Sequence, residues 1–190
     1  MFVSALGCLF HRCGLRPLAL LLGSVGMLGA CSPTFNWREL RLQGTPLQAL
    51  MPCKVEIASR PVSLDGGTPV ELHMHSCDAG GLTFALSWAE LGDATRVPAA
   101  LAGWRRASLS AIRVDPARVD EPATQWSAGV PGATQVMGLT ALGTDPRGQP
   151  VQMRALHFVR ESKMYQAAIY GPALKDANVT SAFFEGLKLP

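Results

Sequence analysis

Charge is what this sequence has least of. Only 16 % of its 190 residues are charged, with 17 Lys and Arg against 14 Asp and Glu. Setting aside Arg12 and Arg16, which belong to a leader described below, leaves 15 basic residues facing 14 acidic ones. A near-neutral domain has no basic face on which phosphates could release counterions, so nucleic acid is excluded as a partner class. Long apolar runs are missing too: the longest uncharged apolar stretch, residues 18–30, falls short of the roughly 20 residues a bilayer-spanning helix needs. Recognisable catalytic motifs are absent. There is no G-x-S-x-G and no phosphate loop, and "GVPG" at 129–132 precedes a strand pattern rather than a helix, the wrong context for a phosphate. No nucleophile, general base or cofactor site can be nominated, so a non-enzymatic protein without a cofactor is expected. Apolar residues are plentiful at 48 %, which excludes a disordered chain and supplies a core.

The N-terminal segment carries the strongest pattern. Arg12 and Arg16 precede the apolar run "LALLLGSVGMLGA", the n-region and h-region of a secretory signal peptide. The run ends in Leu28-Gly29-Ala30-Cys31 and then turns polar. This resembles the lipobox of bacterial lipoproteins. The resemblance implies a signal peptide at 1–30, cleavage before Cys31, a diacylglyceryl group on its sulfur and an acylated amino terminus. At about 0.8 kcal/mol per buried methylene, three acyl chains would hold the chain to a membrane essentially permanently. The expected location is the bacterial cell envelope, lipid-anchored with the domain in the periplasm. By analogy with sorting in enteric bacteria, Ser32 after the cysteine points to the outer membrane.

Residues 31–46 read as a tether that can include a short paired segment, and 47–190 as a single domain. Trp37 is either a membrane-interface aromatic or a dock onto the domain surface. Beyond Cys31 only Cys53 and Cys77 remain, a pair suited to a disulfide in an oxidising compartment. Closing a loop of that size stabilises by about 3 kcal/mol. The alternatives are two reduced thiols, or Cys77 buried alone.

The run "LQALMPCKVEIASRPVSL" alternates as a strand, and Asp65-Gly66 signals a two-residue type I′ hairpin turn to "TPVELHMHSC". That turn pairs Val55 with Ser76, Ile57 with Met74 and Pro61 with Val70. Val55, Ile57, Val70, Leu72 and Met74 then share an apolar face, while Glu71, His73 and His75 turn to the other. Cys53 and Cys77 fall one residue out of step, so a bulge near Pro52 or a twisted end is needed to join them. A third strand spans 82–88. Pro98 opens a helix with Val97, Leu101, Trp104, Ala107, Ala111 and Ile112 inward, Arg105 at the margin and Ser108 bonded back to a carbonyl one turn earlier. Residues 114–132 carry three prolines and no period, a long surface loop. Strands follow at 133–142, 151–160 and 163–170, then a helix over 175–186 with Val179, Phe183 and Phe184 inward.

His73-x-His75 can ligate a metal, because alternate residues of a strand point the same way. Gly67, five residues and H-x-H also resemble the start of a cupin motif, but that family's following Glu and its second motif are missing. A solvated outer face is the ordinary reading of Glu71, His73 and His75; a face covered by a helix, a partner surface and a metal site are the alternatives. The order of parts, with Lys163-x-Tyr165, Gly171, Phe183-Phe184 and a final "GLKL", resembles small PsbP-like α+β envelope domains across most of 47–190. The resemblance implies a mostly antiparallel sheet of about six strands with one central and one C-terminal helix. It implies no shared catalytic centre. A binding or assembly module is therefore expected, its partners the membrane through the lipid and an envelope protein. A ligand- or metal-binding lipoprotein using Glu71, His73 and His75 is the alternative.

Overall fold

The computed structural model describes residues 33–190, and Pro33–Pro190 forms one compact unit. The leader and Cys31 lie outside the described residues. Among the described residues, nine strands and two α-helices follow in chain order. They are β1 (Arg38–Arg41), β2 (Gln48–Met51), β3 (Glu56–Val62), β4 (Val70–Ala79), β5 (Leu82–Glu90), α1 (Val97–Ala111), β6 (Gln125–Trp126), β7 (Gln135–Thr144), β8 (Pro150–Arg160), β9 (Lys163–Gly171) and α2 (Ala177–Glu185). The protein is α+β, and every strand pairing is antiparallel. Seven strands form one sheet in the order β3-β4-β5-β9-β8-β7-β6, and β1-β2 is a separate hairpin. Among the described residues no helix is long and apolar enough to cross a membrane.

Alternation along the central strands buries both faces of the sheet, which makes three layers. On one side Leu72, Ala89, Val159 and Met164 pack against Val97, Ala100, Leu101 and Trp104 of α1. Leu139, Met153, Ala155 and Ala168 continue that face under Leu109, Ile112 and Val119. On the other side Phe84, Leu86, Leu156, Phe158 and Tyr165 meet the hairpin residues Leu47, Ala49 and Met51 and the α2 residues Val179, Phe183 and Phe184. β9 is covered from both sides and is buried along almost its whole length.

The stretch expected as a tether does contain the paired segment, β1 with β2, and Trp37 takes its docking alternative, edge-on to Phe84 with ring centroids 6.3 Å apart. Several other expectations are corrected. The run expected as one strand breaks after Met51. Pro52 cannot donate to a ladder, and the chain changes sheets there. The β3–β4 turn is a seven-residue loop, 63–69, not a two-residue turn. Asp65 accepts from the Gly67 amide and takes the Arg96 guanidinium at 2.8 and 3.0 Å, which ties the loop to the start of α1. The register is one residue away from the expected one, pairing Glu56 with Ser76 and Ile57 with His75. A slip of one residue turns every side chain over. Ile57 is accordingly 72 % exposed instead of joining Leu72 and Met74.

In α1 the inward stripe runs through Val97, Leu101, Trp104, Ser108 and Ile112, with Arg105 buried and Ala107 and Ala111 exposed. Arg105 turns inward because the carbonyl of Val119 accepts from its guanidinium at 3.1 Å. Residues 114–132 are not one open loop. Two 3-10 turns at Pro116–Asp120 and Pro122–Thr124 lead into β6, the far edge strand of the sheet.

Candidate functional site

Cys53 and Cys77 are joined, with their Cα atoms 5.9 Å apart. No bulge is needed: Cys53 lies in the connection between β2 and β3, outside the ladder, and is free to reach the end of β4.

The Glu71–His73–His75 face is not the solvated surface expected. His75 is buried beside Leu86, and His73 stacks on Trp88 with ring centroids 4.1 Å apart. Burial and the neighbouring His73 hold the His75 ring below the ordinary imidazole value. Glu71 stays exposed. Among the described residues no group of three His, Cys, Asp or Glu side chains is placed to hold a metal.

A second polar cluster lies under α1. Ser108 Oγ sits 3.1 Å from His157 Nε2, a distance that resembles a nucleophile beside its base. The surroundings do not support that chemistry. Ser108 donates its proton to the Trp104 carbonyl at 2.9 Å and accepts from Gln166 Nε2 at 2.7 Å. Gln166 Nε2 also donates to His157 Nε2 at 2.9 Å, which leaves the ring proton on Nδ1, where it has no partner and no carboxylate orients it. Burial, with the Arg105 charge nearby, depresses the ring to about 3. His157 is fully enclosed. The cluster is a core network.

The site with open space lies at the opposite edge. β6 is two residues long, and Trp126 lies flat across Gly138 of β7: a Cβ there would come 2.8 Å from the indole and 2.1 Å from the Trp126 carbonyl oxygen. The indole N–H donates to the Leu139 carbonyl at 3.2 Å. Phe184 of α2 closes one side edge-on, with centroids 5.0 Å apart. Arg154, in the middle of β8, places its guanidinium carbon 3.9 Å from the Trp126 ring centre. Its Nε has no hydrogen-bond partner, and no carboxylate among the described residues is within ion-pair distance. Between β6 and α2 a cleft of about 460 Å³ is lined by Trp126, Arg154, Leu174, Ser181, Phe184 and Glu185. A smaller hollow of about 150 Å³ lies between the β1-β2 hairpin and the end of α2.

The 114–132 segment is where the sequence leaves room for an unassigned contact, but sequence reasoning singled out neither Trp126 nor Arg154. One signal was available. Arg154 is a charge set between Met153 and Ala155, with Leu156 and Phe158 following it, in the middle of a largely buried strand, where a charge calls for a reason. Comparison with protein families, curated proteins and solved structures finds no match to this chain.

Proposed function

We propose that this chain is a lipid-anchored protein of the bacterial envelope, held to the membrane through Cys31, and that its domain is a non-enzymatic binding or assembly module. The basic n-region, the short apolar run and the Leu28-Gly29-Ala30-Cys31 sequence support the anchor. The joined Cys53–Cys77 pair suits an oxidising compartment such as the periplasm. The order of strands, central helix, three strands and last helix suits a PsbP-like domain. The observation that carries the binding role is the Arg154–Trp126 cleft, a concave site with an unpaired cation and apolar walls, the usual makings of a recognition site.

Mass spectrometry of the native amino terminus tests the anchor. The expected product begins at Cys31 and carries diacylglyceryl and acyl groups; an unprocessed start, or a free thiol at Cys31, overturns the reading. Affinity isolation of the full lipidated chain from envelopes tests assembly, with a specific co-purifying envelope protein as the expected result.

A further inference from the structure

Arg154 sets a physical problem that the fold leaves open. Arg154 is half-buried and its Nε–H is shut off from water, where a donor ordinarily meets a carboxylate or a carbonyl. Here one face rests on Trp126, and the Nε–H points to no acceptor. The aromatic contact compensates the charge but not the N–H donors, which lie in the guanidinium plane and form a fork matched to a carboxylate. The cleft opens onto that same group. Its volume falls within the span of small-molecule sites, roughly 300–1,000 Å³. Its other walls are mixed: Phe184 and Leu174 are apolar, Ser181 brings a hydroxyl, and Glu185 brings a negative charge.

We propose that this cleft binds a small monocarboxylate with an apolar body, its carboxylate taken by the Arg154 fork and its body laid against Phe184 and Leu174. The proposal rests on the reading of the domain as a binding module. The charge count selects the head group. Arg154 offers one positive charge to the head group and the exposed Glu185 repels further negative charge, so a monoanion is favoured over a phosphate dianion. Two sources share this chemistry, an acyl chain and an aryl acid.

The test uses the full chain in micelles of a nonionic detergent, with empty micelles as the blank. Fluorine NMR follows titration with 4-fluorophenylacetate, and octanoate and inorganic phosphate serve as competitors. Saturable binding is expected, weakened about ten- to a hundredfold in Arg154→Gln, as loss of a charged hydrogen-bond pair implies. Phosphate should not displace the probe. Displacement by octanoate identifies the acyl source, and its failure the aryl one. Glu185→Gln, at an exposed position, should tighten binding severalfold whether or not the Arg154 variant folds. Absence of saturable binding, equal affinity in a folded Arg154→Gln, displacement by phosphate, or no gain in Glu185→Gln each overturns the proposal. The amino-terminal mass and the envelope isolation are independent of all four, so an empty cleft leaves the anchor and the assembly role standing.

Discussion

Gly103 shows how much one missing side chain can decide. A Cβ at this position in α1 would come 1.8 Å from the Leu64 carbonyl oxygen, so the helix and the β3–β4 loop meet only because there is none. Gly103→Ala gains up to about 1 kcal/mol in helix propensity but must push the loop away, an overpacking cost of roughly 1–3 kcal/mol. The expected result is a lower denaturation midpoint; a stabilised variant would show that the loop yields freely. Nothing in the local pattern marks Gly103, because its constraint comes from a backbone oxygen 39 positions earlier in the chain. Ser108 was legible by contrast, since a hydroxyl on a helix finds its carbonyl within one turn. Arg154 lies between these cases. Its charge in mid-strand could be read in sequence, but Trp126, on which it rests, reaches it from β6 and is itself packed by Phe184 of α2.

At the scale of elements, strands β7, β8 and β9 and helix α2 fall close to where alternation and helical spacing place them. The β3–β4 hairpin does not. Asp65-Gly66 carries a strong local preference, and Gly66 does take a positive φ of 78°, yet Asp65 is held by Arg96, and the wider loop shifts the register. A local signal yielded to a tertiary partner. The same shift changed how Cys53 reaches Cys77, though not whether it does. Reduction of the bond, whose cysteines are 24 positions apart, or replacement of both by Ser, is expected to lower unfolding free energy by about 3 kcal/mol. Denaturant titration with and without reductant checks this. Coincident curves would mean that the Pro52 corner stays closed without it.

The whole molecule keeps two imidazoles neutral inside its layers, and this ties its stability to pH. His157 is depressed from 6.5 to about 3 by burial first and the Arg105 charge second. Between those values the unfolded chain takes up a proton that the folded chain refuses. Stability fully present above pH 6.5 is therefore lost as pH falls toward 3, at a limiting slope of about 1.4 kcal/mol per unit. His75 is lowered as well and acts in the same direction. Asp65, held at about 2 by Arg96, adds its own loss only below its ordinary value of 3.8. Urea titrations from about pH 7 to about pH 4.5 should show falling stability, with a shallower slope in His157→Gln. An unchanged slope in that variant would assign the acid sensitivity elsewhere. The slope is the diagnostic quantity, because the variant's absolute stability also reflects the hydrogen bonds it loses to Ser108 and Gln166.

From the chain alone, periodicity within short windows placed most strands and the two helices, the cysteine count pointed to a Cys53–Cys77 pair, and the resemblance in the order of parts implied the antiparallel α+β class. Only the tertiary structure decided the register of β3, the burial of His75 and Arg105, the small edge strand β6 and the cleft at Arg154. Each depends on which distant backbone or side chain arrives to cover a group, and that information is spread across layers far apart in the sequence.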